Sequence, residues 1–186
     1  MNNLDTPRQN YLLSALPTNV YERIFPYLER ISLCNGKILY EPGEELHYAY
    51  FPTTCIVSQF MYAQNGGSTE IAGIGNEGVI GIFHFMGGQS MLNRAIVRSQ
   101  GGAYRLRKHI FLREFKRLPE ETNEESFNYL MLRYTQIMIM QVAQTVVCNR
   151  HHSINQRLCR WLLTTLDRLP SNELNITQEL IANMLG

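Results

Sequence analysis

The sequence predicts an α+β protein in which a small β-roll, or jelly roll, precedes a long helix and shorter C-terminal helices. Short β-prone runs separated by glycine-rich turns fill residues 31–112. Such runs at roughly 8–12-residue spacing are typical of a sandwich or jelly roll. A long apolar segment follows, and amphipathic patterns of helical period occupy the C-terminal part. The order of these sequence patterns indicates three structural units, at residues 11–122, 123–150 and 151–186.

The first unit begins with helical periodicity over residues 11–30, which Pro17 and Pro26 divide into short pieces. Glycine-containing turns, such as Asn35-Gly36 and Pro42-Gly43, then punctuate the strand-like runs. The predicted strands cover residues 37–40, 56–62, 69–74, 79–83, 95–97 and 103–106. We expect this unit to be the β-roll.

Residues 126–149 predict one long helix whose apolar positions surround most of its circumference. A helix that is apolar on more than one side must be buried on more than one side. One side can lie on the roll. The other is covered either by a second copy of the same helix about a two-fold axis or by the core of a monomer; we favour the dimer because no other segment remains to wrap the helix. The expected dimer-helix residues are Leu130, Tyr134, Ile137, Met138 and Gln141.

The C-terminal unit contains two helix starts. Ser153-Ile-Asn-Gln156 is a capping box, followed by an apolar stripe that Pro170 ends. Thr177 is a good N-cap for a second amphipathic segment, and Gly186 falls where a tight turn would follow. This pattern predicts the first half of a helix-turn-helix. We expect the base-reading helix to follow Gly186, outside the given sequence.

Total charge gives no argument for nucleic-acid binding, because the net charge is +1. Four arginines nevertheless cluster between residues 149 and 168, accompanied by a single acidic residue, Asp167. They are Arg150, Arg157, Arg160 and Arg168. A solvated helix face and a phosphate-facing surface both fit this pattern.

Motifs for catalysis or metal binding are weak. The four cysteines form no CxxC pair, and the five histidines show no ligand spacing. Residues 73–78 match GxGxxG, but a strand-like run follows and Asn93 stands where a ribose-binding acid belongs. The chain shows no signal peptide and no membrane span. We therefore expect a cytoplasmic protein with no enzyme activity, metal or cofactor.

The order of parts resembles the cyclic-AMP receptor/fumarate-nitrate regulator (Crp/Fnr) superfamily of bacterial transcription factors. Its most specific pieces are residues 37–44, Lys-Ile-Leu-Tyr-Glu-Pro-Gly-Glu, and residues 177–186, Thr-Gln-Glu-Leu-Ile-Ala-Asn-Met-Leu-Gly. The resemblance implies a cyclic-nucleotide-binding-like roll, a dimerisation helix and a winged helix-turn-helix. It also implies a homodimer that binds double-stranded DNA, with Thr177 and Gln178 contacting phosphates.

The segments that match the family's nucleotide-binding cassette are altered, which makes the effector pocket degenerate. Gly78-Val79 replaces the Gly-Glu that holds the ribose, and Asn93-Arg94 replaces an Arg followed by Ser or Thr at the phosphate. Val79 cannot accept a hydroxyl hydrogen bond. Arg94 would point to the opposite side of a strand from its neighbour. The resemblance thus implies a DNA-binding regulator whose effector is another small molecule or none, and not cyclic AMP. The alternative is a small-molecule-binding or protein-interaction module without DNA binding.

Overall fold

The computed structural model describes residues 6–64, 66–88, 90–117 and 126–169, together with residue 181. It begins with two short helices, α1 (Tyr11–Ser14) and α2 (Thr18–Ile24), and a 3-10 turn at Phe25–Tyr27. Asn10 fixes this segment to the roll, because its side-chain amide donates to the carbonyl oxygens of Pro52 at 2.9 Å and Gly78 at 2.8 Å. The predicted short helical pieces are thus present, but they end at Tyr27.

Seven strands form two antiparallel sheets. They are β1 (Glu29–Leu33), β2 (Ile38–Tyr40), β3 (Tyr48–Pro52), β4 (Ile56–Tyr62), β5 (Ser68–Ile74), β6 (Arg94–Ser99) and β7 (Gly101–Arg107). One sheet has the order β1-β7-β3 and the other β2-β6-β4-β5. Buried apolar side chains from both sheets join one core. The predicted α+β class with a β-roll is confirmed.

The predicted strand at residues 79–83 is wrong. Only Ile80 pairs there, through an isolated bridge to Tyr50. Gly81 has a φ of 114°, which ends the extended conformation, and a 3-10 helix follows at Ile82–His84. The apolar run reflects burial of Val79 and Ile80 in the core and not a strand. Strands β1 and β3 were not predicted.

Three further helices follow the roll: α3 (Lys108–Lys116), α4 (Phe127–His151) and α5 (Ile154–Leu166). The long helix is confirmed as α4, and the Ser153–Gln156 capping box is present at the start of α5. The helix α3 was not predicted. None of the described helices is both long and apolar enough to cross a membrane.

An aromatic cluster attaches the start of α4 to the roll through α3. The ring of Phe127 meets that of Phe111 edge-on, with centroids 5.1 Å apart. One turn further along the same face of α3, Phe115 stacks on Phe85 with ring centroids 4.3 Å apart. Such ring pairs add stability beyond their buried area. The direction of α4 is therefore set by its first turn, and the helix runs on beside β5.

Candidate functional site

The predicted pocket residues Gly78 and Val79 lie against the long helix. A Cβ atom at Gly78 would stand 2.3 Å from the hydroxyl oxygen of Tyr134, so α4 contacts the backbone itself at this point. Val79 is fully buried. Burial also raises the pKa of the Tyr134 hydroxyl, which is therefore neutral at physiological pH. The tyrosine of α4 occupies the space beside this segment of the roll.

The other two predicted pocket residues, Asn93 and Arg94, differ in how deeply they are buried. Asn93 lies inside the roll, next to the hydroxyl of Tyr40. Arg94 begins β6 nearer the surface, where its Nε donates to Glu41 Oε2 at 2.7 Å and its Nη1 donates to the hydroxyl of Tyr62 at 2.8 Å. The charge of Arg94 is thus already matched by a carboxylate of the same chain.

The predicted dimer-helix residues fall on different sides of α4. Tyr134 and Met138 are buried against the chain's own core, on the same seam as Phe127 and Met131. They consequently have almost no surface left to offer a partner. Leu130 is partly buried at the edge of this seam. Ile137 is exposed, and Gln141 faces a cleft beside the roll.

This cleft, here called the arginine cleft, lies between β5, α4 and α5 and encloses about 110 Å³. Three of the four clustered arginines point into it, whereas Arg150 is exposed elsewhere. Its lining comprises Glu70, Ile71, Ala72, Gly73, Arg98, Gln141, Thr145, Cys148, Asn149, Arg157, Arg160, Trp161, Thr164 and Arg168. Three of the clustered arginines therefore face the roll, and only Arg150 lies on an ordinary solvated face.

Arg98 of β6 is the buried charge at the base of the cleft. Its Nη1 donates to Glu70 Oε1 at 3.0 Å, and its Nη2 donates to the hydroxyl of Thr165 at 3.2 Å. Its guanidinium also lies 4.7 Å from the ring centroid of Trp161. Burial lowers the pKa of Arg98, and the Glu70 carboxylate opposes that shift. One side chain of the roll thus contacts two side chains of α5.

A second ion pair joins the residues after α5 to the roll. Arg168 Nε donates to Glu77 Oε1 at 2.7 Å. A Cβ at Gly75 would lie 2.8 Å from the Cβ of Arg168, so the absence of a side chain at Gly75 permits this approach. Together with the contacts of Arg98, this ion pair holds both α5 and the turn behind it against the roll.

Sequence reasoning found Arg157, Arg160 and Arg168 but missed Arg98, Glu70 and Trp161 as their neighbours. The available signal was that Glu70 lies in one predicted strand and Arg98 directly follows another. A charged residue that is buried in a sheet requires a partner. The DNA-phosphate candidates Thr177 and Gln178 lie outside the described residues.

Comparison with known proteins gives a consistent result at the level of structure. No protein-family model matches the sequence, and no curated protein matches it. The c-di-GMP responsive global regulator CLP of Xanthomonas campestris has a TM-score of 0.68 at 13% identity, over 91% of this chain and 84% of that chain. FixK2 of Bradyrhizobium japonicum has a TM-score of 0.69 at 14% identity, over 85% and 77%.

A third similar structure is that of a protein assigned to a named family. It is a putative transcriptional regulator of the Crp/Fnr family from Eubacterium rectale, with a TM-score of 0.68 at 16% identity over 96% of this chain and 81% of that chain. Identities this low establish the fold and not the activity. The chain therefore has the fold of the Crp/Fnr-type transcriptional regulators, a cyclic-nucleotide-binding-like β-roll followed by a long helix.

Proposed function

We propose that this protein is a transcription regulator that binds double-stranded DNA as a homodimer and senses its signal through a degenerate cyclic-nucleotide-type β-roll. The similarity to regulators of this fold extends over 91% of the chain in one case and 96% in another. It therefore includes the long helix as well as the roll. The observation that carries the proposal is an apolar stripe on the outward side of α4.

The outward stripe consists of Leu132, Ile139 and Val146, which are 54%, 59% and 64% exposed. They recur every seven residues, and Met140 and Val147 widen the stripe. A seven-residue apolar repeat is the contact seam of paired helices. A contiguous exposed apolar surface of this kind marks an interface, and a two-fold axis would place the same stripe from a second copy opposite it.

Pairing along α4 also gives the output its geometry. The helix α5 follows α4 after a two-residue turn at His152 and Ser153, so a two-fold axis along α4 brings two copies of α5 to the same end of the dimer. The helix-turn-helix segment expected after α5 would then be presented twice to DNA. In this proposal Thr177 and Gln178 contact phosphates, which position the protein without specifying sequence.

Cyclic AMP is not the signal in this proposal. Val79 supplies no carboxylate for a ribose hydroxyl, and Arg94 is held by Glu41. A cyclic phosphate bound without a guanidinium loses a charge-assisted bidentate contact. Isothermal titration of the purified protein with cyclic AMP should show no binding in the micromolar range. Micromolar binding would contradict this part of the proposal.

The dimer is tested by size-exclusion chromatography with light-scattering detection, which measures the mass of the eluting protein. We expect twice the chain mass of 21.5 kDa, and the doubly substituted Ile139→Asp, Val146→Asp protein should elute as a monomer with unchanged helix content. Met86→Asp is the matched control, because Met86 is an equally exposed apolar residue on the roll. A monomeric parent protein, or a double variant that remains dimeric, contradicts the assigned stripe.

DNA binding is tested by mobility shift with the full-length protein and its own promoter region. A shift that resists non-specific competitor DNA is expected from the parent protein and from Met86→Asp. The monomeric variant should lose at least tenfold in affinity, since each half-site would then be bound alone. A stable dimer without any sequence-specific shift would support a binding module without DNA function instead.

A further inference from the structure

We propose that the arginine cleft is a binding site for a phosphate group, carried by a small effector or present as the free ion. The site lies between the roll and α5 and is distinct from the roll segment that contains Gly78, Val79 and Asn93. Four steps support it: the charge of the lining, the buried donors, the size of the cleft and the position of its walls.

The lining carries more positive than negative charge. Arg98, Arg157, Arg160 and Arg168 face the cleft, and Glu70 is the acidic residue among the lining side chains. Arg98 is paired with Glu70, and Arg168 with Glu77. Within the described part of the chain, Arg160 pairs with no carboxylate, and its Nη1 donates instead to the sulfur of Cys148 at 3.2 Å. A sulfur atom does not neutralise a guanidinium, so the charge of Arg160 remains available to an anion in the cleft.

Two buried donors on residues that line the cleft also lack acceptors. The Nε of Arg98 and the indole nitrogen of Trp161 are both inaccessible, and neither has a hydrogen-bond partner among the residues that the structure describes. Buried N–H groups in proteins are nearly always satisfied, and leaving one unsatisfied is costly. A ligand with several acceptor oxygens would satisfy the charge of Arg160 directly, and it would reach these two donors after a small shift of the lining side chains.

The cleft volume is about 110 Å³, and the cleft is partly open to solvent. A water needs about 10–15 Å³ of such space, so the cleft has room for a phosphate group, and its open side leaves the rest of a ligand in solvent. The donors come from two walls, with Arg98 on β6 and both Arg160 and Trp161 on α5. Guanidinium forks match phosphate oxygens, and donors on different walls suit a tetrahedral anion better than a planar carboxylate.

A bound phosphate would bridge the roll and α5. It would add to the contact of Arg98 with Thr165 and to the pair between Arg168 and Glu77, which already join these parts. Binding would therefore hold α5 more firmly against the roll. If the proposed function is correct, the bound anion also sets the position of the helix-turn-helix segments on DNA. This consequence rests on the proposed function, whereas the binding site itself does not.

The chain's single tryptophan lines the cleft, so its fluorescence reports occupancy directly. The experiment titrates the whole protein with inorganic phosphate and, separately, with 5′-AMP, each against sodium chloride at equal ionic strength. We expect a saturable fluorescence change with phosphate or with 5′-AMP. Equal affinities indicate the free ion as ligand, and tighter binding of 5′-AMP indicates a phosphorylated small molecule.

The variant Arg160→Gln should weaken binding at least tenfold, whereas Arg150→Gln should change it less than twofold. Arg150 is the matched control because it belongs to the same arginine cluster but is exposed outside the cleft. Arg160→Lys keeps the positive charge but lacks the forked guanidinium, so its affinity for phosphate should lie between those of the other two variants. Far-ultraviolet circular dichroism verifies that each variant is folded.

No saturable change beyond the chloride control, or an equal loss in Arg150→Gln, overturns the site. The titration contains no DNA, so a negative result leaves the proposed function standing. A failed mobility shift likewise leaves the phosphate site standing.

Discussion

Neutralising Glu70 should destabilise the protein strongly, because this carboxylate balances a buried guanidinium. The side chains of Glu70 and Arg98 are only 8% and 4% exposed, and their closest atoms are 3.0 Å apart. Glu70→Gln keeps the shape but leaves the Arg98 charge buried beside Arg168. Breaking a buried pair in this way costs about 3–5 kcal/mol. At about 2–4 °C per kcal/mol for a chain of this size, the Tm should fall by about 6–20 °C.

The matched control is Glu29→Gln. Glu29 also pairs with an arginine of a neighbouring strand, Arg105, at 2.7 Å, but the two side chains are 40% and 34% exposed. Exposed pairs contribute at most about 1 kcal/mol. Urea and thermal denaturation followed by circular dichroism give both free energies of unfolding. If Glu70→Gln loses no more stability than Glu29→Gln, the Arg98 charge is hydrated in the folded protein and the reasoning fails.

Four further predictions concern local packing, capping, protonation and charge. Gly78→Ala would place a methyl group 2.3 Å from the Tyr134 hydroxyl and should lower the free energy of unfolding by about 1–3 kcal/mol. In contrast, Gly88→Ala, whose nearest neighbouring atom is 3.6 Å away, should stay within about 0.5 kcal/mol; equal losses in urea denaturation would refute the contact. Ser153→Ala removes the cap of α5 and should cost about 1 kcal/mol in the same assay, so an unchanged midpoint would show that the capping box contributes nothing. Burial lowers the pKa of His84, so the unfolded chain binds the proton more readily and stability should fall as pH drops below the ordinary histidine value of about 6.5; a pH series of Tm values should be flatter there for His84→Gln, and an identical slope would exclude His84. Finally, Glu70→Gln should tighten phosphate binding in the tryptophan titration, because it removes the negative charge from the cleft lining, and weaker binding in a folded variant would contradict the charge argument.

Local signals predicted the short N-terminal helices, α4, α5 and five of the seven described strands, but not α3. The long helix and the Ser153 capping box depend on neighbouring residues, so the sequence alone placed them within a few positions. The predicted strand at residues 79–83 failed because an apolar run has the same composition whether it is a strand or a buried turn. The backbone at Gly81 decided between them.

The sequence pattern could not predict which side of α4 faces the core. Its apolar residues surround the helix, so periodicity does not distinguish the seam of Tyr134 and Met138 from the seam of Leu132 and Ile139. The contact of Phe127 with Phe111 made that choice through tertiary packing. The dimer residues predicted from sequence were therefore drawn partly from the inward side.

The arginine cleft illustrates the same limit for a site. The cluster of arginines was visible in the sequence, but its partners come from distant positions. Arg98 meets Glu70 across 28 residues and Thr165 across 67. Only the closure of the roll and the packing of α5 on it bring these groups together.

Footprinting of the full-length protein on its promoter region would test most directly whether the protein is a dimeric DNA-binding regulator. A two-fold dimer presents its reading helices about 34 Å apart, one turn of DNA. We predict two protected half-sites related by an inverted repeat, with centres about 10 base pairs apart. Protection of a single half-site, or none at concentrations where the protein is a dimer, would contradict this function.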